Sequence, residues 1–199
     1  MILAGAAVAV ANSLGPPLAH TGAPRVGGRE SEPSCNMADC HQGNPMNWSG
    51  KLEILGLPAA YNPGTTYPVT VRLTSTATQN SIIRRWGFEI TGVRLSDGQS
   101  PGTFSSPGLR IGSLNRRTYV THEFDDLHAG ELSPVEWTFN WTAPAGDEGD
   151  IAFYAAGNAA NGTGTQLEDF IYTSSDTTMG PAVPVEPVTW GRIKSFFSN

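Results

Sequence analysis

Three large aromatic residues, Trp137, Phe139 and Trp141, alternate with Thr138, Asn140 and Thr142. Successive side chains of an extended chain point to opposite faces, so this segment carries one face made for a core and one made for water. A helix would turn Phe139 to the side opposite Trp137 and Trp141. Residues 67–75 repeat the pattern, with Tyr67, Val69, Val71 and Leu73 on one side and Thr70, Arg72 and Thr74 on the other. Residues 51–57, 85–95, 118–124, 150–156 and 169–173 extend the series, and in 118–124 the alternation sets Val120, His122 and Phe124 on one face. Asn62-Pro63-Gly64 and Asp97-Gly98 are turn signals between such runs. The 23 Gly and 15 Pro are spread between apolar runs and not gathered in one tract, which marks a loop-rich β domain. With no amphipathic helix among these runs, the chain is predicted to be all-β, an antiparallel immunoglobulin-like β-sandwich over residues 50–175. A core of that size is stable without a metal or a disulfide.

The flanks read differently. Residues 12–49 show no periodicity and are expected to form an extended N-terminal wrapping segment. Residues 2–11 are small and apolar and end in Ala9-Val10-Ala11, the small-x-small form of a signal-peptidase site. That run is shorter than the ~20 residues a bilayer span needs. Residues 1–11 are therefore expected to be a signal-peptide remnant, which gives a periplasmic or extracellular, cell-surface location and no membrane span after signal removal. Residues 176–199 read as a linker and tail in which Trp190, Ile193 and Phe197 share one side of a short C-terminal helix. The formal charge is −6, from 12 Lys and Arg against 18 Asp and Glu, and the basic pairs are Arg84-Arg85 and Arg116-Arg117. The electrostatic footprint of a nucleic-acid partner is missing.

The chemistry-bearing motif lies in the wrapping segment. Cys35 and Cys40 are the two cysteines of the chain, and His41 follows the second directly. Two thiols and an adjoining imidazole are the groups that tether a haem and ligate its iron. The usual attachment run has two residues between the cysteines, whereas four stand here. The same spacing also lets the two sulfurs meet in a short disulfide, as exported proteins with paired cysteines commonly do. A third reading takes Cys35, Cys40 and His41 as zinc or copper ligands completed from elsewhere.

Five ordered motifs carry a family resemblance. The run from Gly15 to Pro24, the Cys40-His41 pair, Tyr119-Val120-Thr121-His122, the run from Trp137 to Pro144 and the run from Phe153 to Gly162 resemble the bacterial Reeler-like domain, also described as a choice-of-anchor domain. The resemblance covers most of residues 15–173. It implies an exported Reeler-like β-sandwich with a C-terminal tail that varies with the route of surface attachment. Members commonly carry a Cys-x-x-Cys-His form, so the resemblance favours one covalent haem c on Cys35 and Cys40, with His41 as proximal axial ligand. His20 and His122 stand in matching motifs and are the candidate distal iron ligands, with Met37 and Met46 outside them.

No nucleophile elbow, zinc-protease helix or phosphate-cradling loop is present in the sequence, so no enzyme activity is expected. The main functional expectation is an exported monohaem c-type cytochrome-like protein, metal-binding through iron. It would transfer electrons to redox protein partners or within a multi-subunit membrane or surface complex. The alternative is a non-redox cell-surface β-sandwich binding or adhesion module, without cofactor, in which a Cys35–Cys40 disulfide pins the wrap.

Overall fold

A computed structural model describes residues 15–37, 40–41, 44–78, 80–165 and 167–181. The expected signal remnant and C-terminal helix lie outside them. Nine strands run in chain order: β1 (Gly50–Leu55), β2 (Thr66–Ser75), β3 (Arg85–Arg94), β4 (Thr103–Ser105), β5 (Arg110–Leu114), β6 (Arg117–Thr121), β7 (Val135–Thr142), β8 (Ile151–Ala160) and β9 (Phe170–Thr178). They form a four-stranded sheet of order β1-β2-β7-β4 and a five-stranded sheet of order β5-β6-β3-β8-β9, and the pairs are antiparallel. The expected all-β sandwich is the fold observed.

The alternating runs build the layer between the sheets. Trp137, Phe139 and Trp141 of β7 and Val69, Val71 and Leu73 of β2 are buried there against Trp86, Phe88 and Ile90 of β3 and Phe153 of β8. Aromatic rings tie the sheets together: Trp141 meets Phe153 edge-on at 5.1 Å between centroids, and Trp137 stacks on Phe88 at 4.7 Å. Such pairs add ~0.5–1.5 kcal/mol each beyond the area they bury. The outer face of the four-stranded sheet is polar, with Thr70 on Thr138 at 2.8 Å and Arg72 on Glu136 at 2.5 Å.

The five-stranded sheet is covered on both faces. The described residues between 15 and 49 lie over its outer side, where Thr21, Ala23 and Val26 are buried. This segment is held by backbone bonds within itself, Gly22 N–H to Pro33 at 3.0 Å and Glu32 N–H to Ala23 at 2.8 Å, and by Asn47 N–H to the β9 carbonyl of Ile171 at 2.9 Å. A side chain at Gly27 would put its Cβ 2.1 Å from the Asp97 backbone, so glycine is what lets the wrap descend onto the β3–β4 loop.

Three local expectations differ from the structure. β6 ends at Thr121, so His122 and Phe124 do not share the face of Val120: Val120 enters the core, Phe124 is exposed on a 3₁₀ turn, and the His122 ring folds over Gly87. β4 and β5 lie in stretches too short or too polar to show a period. β9 continues through the polar residues 174–178 because its backbone pairs with β8 as far as Ile151.

Candidate functional site

All five residues singled out for chemistry lie between the wrapping segment and the outer face of the five-stranded sheet. Cross-strand pairing sets Thr121, Glu89, Ala156 and Thr173 in one row, with Gly87, Asn158 and Ile171 in the next. The Cys35 carbonyl accepts the N–H groups of Met37 and His41, both at 3.1 Å, and so closes a tight turn. The Cys35 thiol faces inward, its sulfur 3.9 Å from the His20 carbonyl. Its pKa is pushed up to about 12, first by burial and then by the neighbouring Glu89 and Cys40. Burial thus favours its protonated form.

His41 is held at both ring nitrogens. Nδ1 lies 2.7 Å from Asp169 Oδ2, and Nε2 lies 3.1 Å from Asn158 Nδ2. The pattern assigns a proton to Nδ1, donated to the carboxylate, and leaves Nε2 to accept from the amide. The Asp169 side chain is 1% exposed. Its Oδ1 accepts the Asn161 N–H at 2.9 Å and its carbonyl accepts from Asn44 at 3.1 Å. Asp169 thus joins the cysteine turn to the β8–β9 loop.

The other two candidate histidines are also committed. The His20 N–H donates to Glu89 Oε1 at 2.9 Å, and its ring Nδ1 lies 2.9 Å from the Pro17 carbonyl of its own segment. His122 is buried, and its Nδ1 accepts the Phe88 N–H at 2.9 Å. Burial lowers its pKa to about 4, with the Arg110 charge acting in the same direction. Met37 and Met46 are exposed.

The expectation of a haem-carrying, metal-binding cytochrome is therefore overturned. Among the described residues no three His, Cys, Asp or Glu side chains converge to hold a metal ion. Cys35 faces the sheet, the His41 Nε2 lone pair meets an amide, and His122 is sealed beneath the wrap, so these residues do not fit a haem. Asp169 lies 128 residues from His41, a partner that spacing within the motif could not disclose.

Two features were missed at the level of sequence. Glu89 is fully buried in an otherwise apolar stretch of β3, with Oε2 unpartnered, and burial pushes its pKa up to about 8. An acid between Phe88 and Ile90 was the available signal. The second is the sandwich end formed by loops 76–84, 122–134 and 161–169. Ser81 Oγ donates to the Asn161 carbonyl at 2.6 Å, the Gly130 N–H to Arg84 at 2.9 Å, and the Trp86 N–H to Leu127 at 2.8 Å. On these linked loops Ile82 is 87% exposed, Ile83 54% and Leu132 65%. Adjacent isoleucines between turn residues were the sign of it.

No family model and no curated protein matches the chain. Among solved structures it is similar to the human F-spondin reeler domain, at 18% identity and TM-score 0.42 over 66% of this chain and 91% of that one. It is also similar to the sixth cohesin of Acetivibrio cellulolyticus scaffoldin B in complex with Cel5 dockerin, at 13% identity and TM-score 0.38 over 62% and 97%. A third is AvmM, which catalyses macrocyclization in alchivemycin A biosynthesis, at 11% identity and TM-score 0.41 over 72% and 94%.

Proposed function

We propose that this protein is a non-redox, exported β-sandwich module that binds a protein partner at the cell surface through the apolar loop end bearing Ile82, Ile83 and Leu132. The carrying observation is the exposure of those three side chains on loops fastened to one another. Large aliphatic groups held in water on a rigid frame are the signature of a contact surface, because burying each against a partner contributes roughly 1.5–3 kcal/mol. No helix among the described residues is long and apolar enough to cross a membrane. Residues 50–175 form the binding body of this reading, 12–49 its structural cover, 1–11 the export remnant and 176–199 the tail by which it attaches. In an oxidising compartment Cys35 and Cys40 close a disulfide that pins the cover, leaving His41, His20 and His122 as structural groups.

A photo-crosslinking residue at position 82, compared with one at Thr138 on the polar outer sheet, tests the contact surface on intact source cells. The reading requires a discrete adduct from position 82 alone, competed by the unlabelled wild-type protein and not by an I82S/I83S/L132S variant. Equal labelling from both positions would remove the loop end as the site. The intact mass of the exported protein tests the disulfide, which demands a value two hydrogens below that of the dithiol chain.

A further inference from the structure

At the end of the sandwich opposite those loops, a cavity of about 590 Å³ opens between the wrap and the β5–β6 turn, lined in part by Arg29, Arg116, Arg117, Asn115 and Tyr119. We infer that it binds a small organic acid of monosaccharide size, a uronic acid being the simplest case, through a carboxylate held by Arg117, Arg29 and Arg116. This site goes beyond the apolar contact surface and shares no residue with it.

Arg117 is 3% exposed, and its Nη1 bonds Glu32 Oε1 at 2.5 Å while Nε donates to the Gly98 carbonyl at 2.9 Å. Its Nη2 is buried with no hydrogen-bond partner. A buried guanidinium N–H left unpaired is costly, and a carboxylate oxygen is the acceptor that fits it best. The Glu32 carboxylate is itself fixed in place, because Oε2 takes the Thr21 hydroxyl at 2.6 Å and Oε1 also takes the Tyr119 hydroxyl at 2.6 Å. Glu30, also on the rim, turns to Arg25 at 3.5 Å.

The two further arginines add charge without a bonded carboxylate. Arg29 donates to the carbonyls of Asp97 and Asn115 at 3.1 and 3.0 Å, which positions the guanidinium without neutralising it. The nearby Asp97 carboxylate is engaged by Arg94 at 2.7 Å. Arg116 is exposed on the two-residue turn it makes with Asn115, at φ 64° and 51°. The volume falls within the ~300–1,000 Å³ of small-ligand sites, and guanidinium groups are the side chains that grip a carboxylate in two-point fashion.

The test is a titration of the full chain with D-glucuronate, with D-glucose as the uncharged control, followed by amide chemical shifts and calorimetry. The expected result is saturable binding of glucuronate alone, with shifts at Arg116, Arg117 and Tyr119 and weakening as salt is raised. Arg116→Gly removes one charge at a left-handed position that glycine favours, so the fold is retained and affinity falls roughly fivefold for a partly screened contact. Arg29→Gln lowers it further. No saturable shift at tens of millimolar glucuronate, equal responses to glucose, or an unchanged affinity in both variants would overturn the assignment.

Discussion

Replacing Glu89 with glutamine keeps the shape of a fully buried side chain and removes its ability to ionise. The wild-type carboxyl, ordinarily near 4.5, has a folded-state pKa of about 8, chiefly from burial, with Glu32 pushing the same way and the N–H groups of His20 and Ala19 and the Arg110 charge opposing. A carboxyl whose pKa is raised on folding leaves stability intact below its unfolded value and lowers it as pH climbs through the folded value. At about 1.4 kcal/mol per pH interval between 4.5 and 8, the full loss is roughly 5 kcal/mol, of which about 4 falls between pH 5 and 8.5. That is a large share of the ~5–15 kcal/mol by which a domain is stable. The assay is urea unfolding followed by the fluorescence of the buried Trp86, Trp137 and Trp141 across that range. His122 titrates in both proteins, so the difference between wild type and E89Q isolates Glu89. The variant should match the wild type within ~1 kcal/mol at pH 5 and exceed it by several kcal/mol at pH 8.5. Parallel curves would refute the buried neutral acid.

The acid side belongs to His122, whose pKa drops from 6.5 to about 4 on burial. Its contribution is complete above the unfolded value and is lost as pH falls through the folded one, so H122Q should flatten a decline of roughly 3 kcal/mol below pH 6.5 in the same unfolding series. Gly87→Ala would place a Cβ 2.5 Å from His122 Cε1; the expected cost is about 1–3 kcal/mol by calorimetry, with the imidazole expelled and its NMR titration moved back toward 6.5. Asp169→Ala strands the His41 ring and the Asn161 N–H together, and the expected outcome is a loss of ~2–4 kcal/mol with faster proteolysis within residues 35–44. If D169A leaves that proteolysis rate unchanged, Asp169 does not fasten the turn.

Much of the sandwich was legible because burial on one side stamps a period of two on β2 and β7. β4 and β5 escaped notice since backbone pairing with β7 and β6 holds them without an apolar face of their own. The wrapping segment was legible as a wrap, although its target was not. Glu89, Asn158, Asp169, Arg117 and Glu32 are polar residues whose roles exist only once four distant stretches are stacked. The haem reading failed for the same reason. Cys35, Cys40 and His41 name a chemistry by their order, but their surroundings decide it, and a carboxylate and an amide from β8 and the β8–β9 loop had already taken the imidazole.

The distribution of spent and unspent groups also locates function. The outer face of the five-stranded sheet is closed by the described residues of the wrap, and the polar groups beneath that cover are mostly consumed in holding it. The outer face of the four-stranded sheet is a solvated surface of Thr–Thr and Arg–Glu cross-strand pairs, which supports solubility and offers no apolar anchor. Both proposed binding surfaces lie at the two ends. One carries Ile82, Ile83 and Leu132 and suits a protein surface that can bury aliphatic groups; the other carries Arg29, Arg116 and the unpaired Nη2 of Arg117 and suits a small anion. β3 joins these ends, beginning among the apolar loops and finishing beside Asp97, and Glu89 stands inside it. Charging Glu89 works against the layer that β3 shares with the wrap, because burial penalises the carboxylate whose Oε1 is the acceptor that holds the His20 N–H at 2.9 Å.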